Sequence, residues 1–123
     1  PYLYIPQNSS DMDTANAMNR LHALTDEQRA IVLSAYAQLN ADPDRLLAGG
    51  NPSPGELRKL LLCLGMIEQP QLIIMDEPTN HLDLHSKQAL ANTLSSYAGA
   101  LVAVSHDEWF LNAVTSIRWR CAS

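Results

Sequence analysis

Leu72-Ile73-Ile74-Met75-Asp76-Glu77-Pro78 sets four apolar residues in a row and follows them directly with two carboxylates and a proline. An uninterrupted apolar run of this length, with Pro70 before it and Pro78 after it, reads as a strand buried on both faces of a parallel sheet. Working outward toward the C-terminus, Leu84 to Tyr97 reads as a helix and Ala100-Leu101-Val102-Ala103-Val104 as a second such strand. Asp107 to Val114 then reads as a further helix and Thr115 to Arg120 as a last strand. Strands alternating with helices require parallel crossovers, so the expected fold class is α/β with a three-layer parallel sheet.

Toward the N-terminus, Ser53-Pro54-Gly55-Glu56 fits a capping box, with Ser53 as N-cap, Pro54 at the first helical position and Glu56 closing back; a helix to about Met66 follows. The break Gly49-Gly50-Asn51-Pro52 separates it from a helical block running from about Thr14 to Leu47. In that block Met18, Leu21 and Leu24 share one face. Thr25-Asp26-Glu27-Gln28 is a second capping box, opening a helix through Ile31, Leu33, Tyr36 and Leu39. Asp42-Pro43 starts a shorter helix that ends near Gly49-Gly50. Tyr2 to Ile5 is a short strand closed by Pro6, which leaves Gln7 just after a strand. The expected organisation is a strand and loop over 1–10, a helical subdomain over 11–50, and the rest of the α/β core over 51–123.

The 123 residues, 46% hydrophobic and 17% charged, suit one small domain with a single core. A first residue of Pro1 followed at once by strand-like sequence is expected of a chain that opens inside a folded unit, and the chain is read as a fragment. The formal net charge of -5 supplies no basic face, so direct nucleic-acid binding by this piece is not expected. The longest apolar run, Leu60 to Ile67, contains Gly65 and falls far short of the roughly 20 residues of a spanning helix, so no membrane segment is expected. With no secretory signal pattern, the expected location is cytoplasmic. Cys63 and Cys121 lack metal-ligand spacing, and Cys63 lies among leucines, where an inert buried thiol is expected.

The chemistry concentrates at strand ends. Ligands of open α/β sheets bind outside the carboxyl ends of the strands, which is where the central run delivers Asp76 and Glu77. Asp76 is a candidate ligand for Mg2+, directly or through water, and Glu77 a candidate base for a water attacking the γ-phosphate of ATP. The bland alternative is a solvated acidic turn. Val104-Ser105-His106-Asp107 ends the next strand on the same edge, so His106 can contact that phosphate or orient the water; alternatively it is a helix-start residue beside the N-cap Asp107. His22, His81 and His85 have no partner at metal-ligand spacing. Ser53-Pro54-Gly55-Glu56 is either an ordinary cap or a helix N-terminus presented to a phosphate, with Gly55 allowing close approach. Gln7 alone is a polar loop residue. No G-x-x-x-x-G-K-[ST] string occurs in the chain, so a phosphate-gripping loop is expected ahead of Pro1, and tight ATP binding or hydrolysis by this piece alone is not expected.

Taken in order, these pieces resemble the ATP-binding cassette (ABC) ATPases from the glutamine loop onward. Pro6-Gln7 is similar to that loop, Ser53 to Glu56 to the signature motif, and Leu72 to Asp76 to the Walker B strand. Glu77 is similar to the catalytic glutamate, Asn80-His81-Leu82-Asp83 to the D-loop and His106 to the switch histidine. The resemblance implies a partial P-loop NTPase fold with its Walker A half missing, and ATP and Mg2+ as cofactors. It also implies a second cassette as partner, facing this one head to tail on the same chain or in a dimer. Ser53, Gly55 and Glu56 are then placed against the partner's ATP. Asp76, Glu77, His106 and Gln7 serve the nucleotide of their own cassette, with Gln7 also beside Mg2+ and Asp83 of the D-loop counted among the residues that bind ATP.

Asp76 to Asp83, Asp-Glu-Pro-Thr-Asn-His-Leu-Asp, is similar to the soluble F branch (ABC-F), whose members carry two cassettes and act on ribosomes. Arg118-Trp119-Arg120 resembles the end of a C-terminal cassette. Two positions depart from the family pattern, Pro52 in place of leucine and Pro54 in place of glycine; the second removes an N–H and backbone freedom where a partner's ATP is contacted. A nucleotide-binding subunit of an ABC transporter shares the chemistry, but Asn80-His81 is less usual there. A stand-alone, non-hydrolysing partner-binding protein is the alternative from another class.

Overall fold

The computed structural model of the chain describes residues 2–6, 11–49, 52–79, 82–97 and 99–114. Within them lie strands β1 (Tyr2–Ile5), β2 (Leu72–Asp76) and β3 (Ala100–Val104), with helices α1 (Asp11–Ala23), α2 (Asp26–Gln38) and α3 (Pro43–Leu47). Helices α4 (Pro54–Met66), α5 (Leu84–Ser95) and α6 (Glu108–Val114) complete the order. The strand expected at Thr115 to Arg120, together with Gln7, Asn80, His81 and Cys121, lies outside the described residues.

The strands form one parallel sheet in the order β1-β2-β3, with Ile5 beside Met75 and Met75 beside Ala103. Both crossovers therefore step in the same direction, and right-handed connections of that kind put their helices on one face. The side-chain pattern agrees. Ile5, Ile73 and Met75 are buried, with Leu101 and Ala103 partly so, while the alternate residues Tyr2, Tyr4, Val102 and Val104 are exposed, Val104 at 58%. The expected partial α/β parallel sheet flanked by helices is present, but β2 is buried on one face rather than two, since Leu72 and Ile74 remain half-buried. An unbroken apolar run hides the alternation that would have shown this.

Helix α4 is the centre of the core. Leu57, Leu60, Leu62, Cys63 and Leu64 are buried, and so are Arg58 and Lys59. Helices α1 and α2 pack on it, through residues that include Ala17, Leu21, Val32, Tyr36 and Leu39 in the same apolar cluster. Of the apolar positions read through α2, Ile31 is 55% exposed, while Val32, Tyr36 and Leu39 define the buried stripe at i, i+4 and i+7. Both expected capping boxes form, at Thr25–Gln28 and Ser53–Glu56. Helix α1 begins at Asp11, earlier than the pattern from Thr14 indicated. No helix of the described residues is long and apolar enough to cross a membrane.

Candidate active site at the carboxyl edge of the sheet

Strand β2 ends by placing Asp76 beside Val104 of β3. Asp76 follows Leu72 and Ile74 in the strand alternation, so it belongs to the open face. The next residue leaves the strand abruptly. Glu77 has φ of 46°, in the left-handed region, and its main chain is held from two sides. Its N–H donates to the Val104 carbonyl at 2.7 Å, and the buried Arg58 Nη1 donates to its carbonyl at 2.9 Å. Residue 77 is thus locked in a conformation that L-residues avoid by ties to β3 and to α4.

His106 comes from the loop after β3. Its Nε2 lies 3.6 Å from Glu77 Oε1, its side chain fully exposed while that of Glu77 is 19% exposed. The separation exceeds a hydrogen bond, so neither group is committed to the other and both can engage a third. The fold therefore brings Asp76, Glu77 and His106 to one edge. Among the described residues no group of three or more His, Cys, Asp or Glu could hold a metal. Asp76 offers a single carboxylate, which fits a hard cation such as Mg2+ that keeps water and phosphate ligands, and does not fit a cage made by protein alone.

The other expected site residues sit apart from this group. Ser53 Oγ accepts from the Glu56 amide at 3.1 Å and Glu56 Oε1 accepts from the Ser53 amide at 2.9 Å, with Pro54 at the first helical position and Gly55 buried. Glu56 also pairs with Arg45 at 3.4 Å. The polar partners of Ser53 and Glu56 thus lie within the cap and on α3, not at Glu77 or His106; Arg58, further along the same helix, makes the link. Asp83 caps α5, accepting from the Ser86 amide at 2.8 Å, and the hydrogen bonds from Ser86 hold its carboxyl below the usual range. Gln7 lies outside the described residues.

Several contributors escaped the sequence reading. Lys59 is buried and donates to Ser86 Oγ at 2.8 Å, while Asn40 Nδ2 reaches the same oxygen at 3.4 Å. Burial lowers the Lys59 pKa, and the carboxylates of Asp83 and Glu56 act against that. Arg58 and Lys59 interrupt an otherwise apolar helix, and a cation inside such a helix needs a partner. That signal was readable; which carbonyl or hydroxyl it finds was not. Lys87 was also unremarked, and it donates to Asp107 Oδ2 at 2.8 Å.

Comparison with known proteins places this geometry in context. No family model matches the chain. It is 41% identical over 101 residues, 79% of its length, to the energy-dependent translational throttle protein EttA of Mycobacterium tuberculosis, and spans 18% of that protein. With the ATP-binding protein ChvD of Rhizobium radiobacter it shares 35% identity over 118 residues, 93% of this chain and 41% of that one. With the ribosome protection protein VmlR of Bacillus subtilis it shares 50% over 64 residues, 52% of this chain and 12% of the relative. The chain thus spans less than half the length of each. Among solved structures, a bacterial Atm1-family ABC exporter with ATP bound superposes with a TM-score of 0.62 over 85% of this chain and 21% of its own, at 21% identity, a likeness of fold alone.

Proposed function

We infer that this chain is an ABC-F family ATPase-domain protein, since it matches part of each of several longer relatives, and on that premise that Asp76, Glu77 and His106 form the acidic half of an ATP-hydrolysing site. The observation that carries the proposal is the approach of His106 to Glu77 at 3.6 Å, beside Asp76, with the Glu77 main chain held by Val104 and Arg58. ATP with Mg2+ supplies the transferred phosphoryl group and the charge that neutralises it. Glu77 accepts the proton of the attacking water, and its held backbone fixes where the carboxylate stands before reaction. His106, fully exposed at the edge, donates a hydrogen bond toward the γ-phosphate or the water. Asp76 contributes its carboxylate on the metal's side.

In this reading residues 11–50 are a helical subdomain, and 51–123 carry the signature helix and the catalytic edge. Ser53, Gly55 and Glu56 at the start of α4 face the nucleotide of a second cassette, with Asp83 among the residues that bind ATP and Gln7 beside the nucleotide and Mg2+. The whole protein is a cytoplasmic factor that couples ATP-driven closure of two cassettes to the ribosome. What supports this is the naming of relatives as a translational throttle and a ribosome protection protein, together with the F-branch resemblance of Asp76 to Asp83. The fold likeness to an exporter at 21% identity does not favour transport.

The test is Glu77→Gln in the full-length protein. ATP binding should stay within about twofold while turnover falls by about 100-fold or more, the loss expected when a general base is removed. Hydrolysis at the wild-type rate would remove Glu77 from the role of base.

A further inference from the structure

His106 is fully exposed, so side-chain packing does not set its position; the backbone around it must. That backbone is tied on both sides of the residue. Before it, the Val104 carbonyl accepts the Glu77 amide at 2.7 Å. After it, the Asp107 carboxylate is gripped from two helices: Oδ2 accepts from Lys87 Nζ of α5 at 2.8 Å, and Oδ1 accepts from the Phe110 amide of α6 at 3.0 Å. The Asp107 amide in turn donates to Ser105 Oγ at 3.0 Å. Lys87 is held as well, its ammonium standing 5.4 Å from the centre of the Trp109 ring, a cation–π distance. Both members are shielded, with side chains 25% and 19% exposed, which separates this pair from an ordinary surface ion pair.

We propose that Lys87 and Asp107 are positioning residues that set the approach of His106 to Glu77. The inference rests on the catalytic reading of Glu77 and His106. Lys87 belongs to α5 and Asp107 to the loop that carries His106, so their bond ties that loop to α5 one residue beyond His106, where the Thr79 side chain of the Glu77 loop hydrogen-bonds the same carboxylate. With Lys87 replaced, Asp107 keeps its helix cap and its hydrogen bond from the Thr79 side chain but loses its charged tie to α5. Misplacement of a reacting group by about 1 Å can cost about 100-fold in rate, and partial loosening should cost less.

The experiment compares Lys87→Met, Lys87→Arg and Asp107→Asn in the full-length protein. Methionine keeps the unbranched stem without the charge, arginine keeps the charge, and asparagine keeps a side-chain oxygen for the cap. Lys87→Met and Asp107→Asn should each lower kcat for ATP by about 10-fold with KM within about twofold, and Lys87→Arg should recover most of the loss. In the nucleotide-free protein, amide hydrogen exchange over residues 105–108 should quicken in Lys87→Met and Asp107→Asn while that of α4 stays unchanged. Unchanged exchange at 105–108 in both variants, or wild-type kcat in both, would overturn the proposal. If Lys87→Met melts well below the wild type, Asp107→Asn decides. If Glu77→Gln hydrolyses ATP normally, the catalytic reading fails, and the exchange result still reports whether the clamp exists.

Discussion

Replacing Glu77 by glycine and, separately, by alanine isolates the backbone strain at the candidate site. Glu77 has φ of 46°, where the Cβ of an L-residue crowds the neighbouring carbonyl at a cost of about 1–2 kcal/mol. Both replacements remove the carboxylate and its approach to His106, so those losses cancel between them. Alanine keeps the Cβ and the strain. Glycine removes both but loses more chain entropy on folding, about 0.5–1 kcal/mol. The difference leaves Glu77→Gly more stable than Glu77→Ala by about 0.5–1 kcal/mol. In urea unfolding at a shared slope of about 1.5 kcal/mol/M, the midpoints should differ by about 0.5 M. Both variants should be equally inactive in ATP hydrolysis. An alanine variant as stable as the glycine one would refute the reasoning, because it would mean that the ties from Val104 and Arg58 hold residue 77 without strain.

Two further perturbations test the scaffold around the site. Ser53→Ala removes the acceptor of the Glu56 amide and should cost about 1 kcal/mol, while Ser53→Asp should cost much less; equal losses in thermal denaturation would mean that the cap adds nothing. Burial pushes the Cys63 thiol up to about 12 from 9.0 and, as the largest of several causes, the Tyr36 phenol up to about 12 from 10.0. Both are acids whose folded pKa is raised, so the stability they contribute is complete below their unfolded values. It is lost as pH climbs toward 12, at about 1.4 kcal/mol per pH unit for each group already ionised in the unfolded chain. Denaturant titrations at successive pH values should show Cys63→Ala flattening the onset of this decline; a slope identical to wild type would show that the thiol does not titrate with unfolding.

Much of the architecture was readable because its causes are local. Ser53 and Thr25 with an acceptor side chain three residues later start helices by satisfying their own first amides, and both do so here. Pro70 and Pro78 bracket β2, and the apolar run Ala100 to Val104 is β3 as read. Errors arose where a local pattern leaves the partner unspecified. Apolar continuity in Leu72 to Met75 is the same whether one face or two are covered, and only the direction of the crossovers put the helices on the side of Ile73 and Met75. Ile31 and Val32 are adjacent β-branched residues, and the packing of α2 on α4 chose between them.

The sequence by itself determined the chemistry available at the sheet edge. Asp76 ends one strand and Glu77 and His106 follow strands that must be parallel, and parallel strands end on one side. It also determined the helix starts, since capping requires only residues within one turn. The tertiary structure alone decided how that edge is held. Residues 58 and 77 are 19 apart in the chain, as Lys87 and Asp107 are 20 apart, and no local periodicity specifies such meetings. They depend on where α4 and α5 come to rest against the sheet, which burial of the shared apolar core determines. The buried Arg58 and Lys59 must then find an acceptor within reach, the carbonyl of Glu77 and the hydroxyl of Ser86, while the partly buried Lys87 finds the carboxylate beside His106.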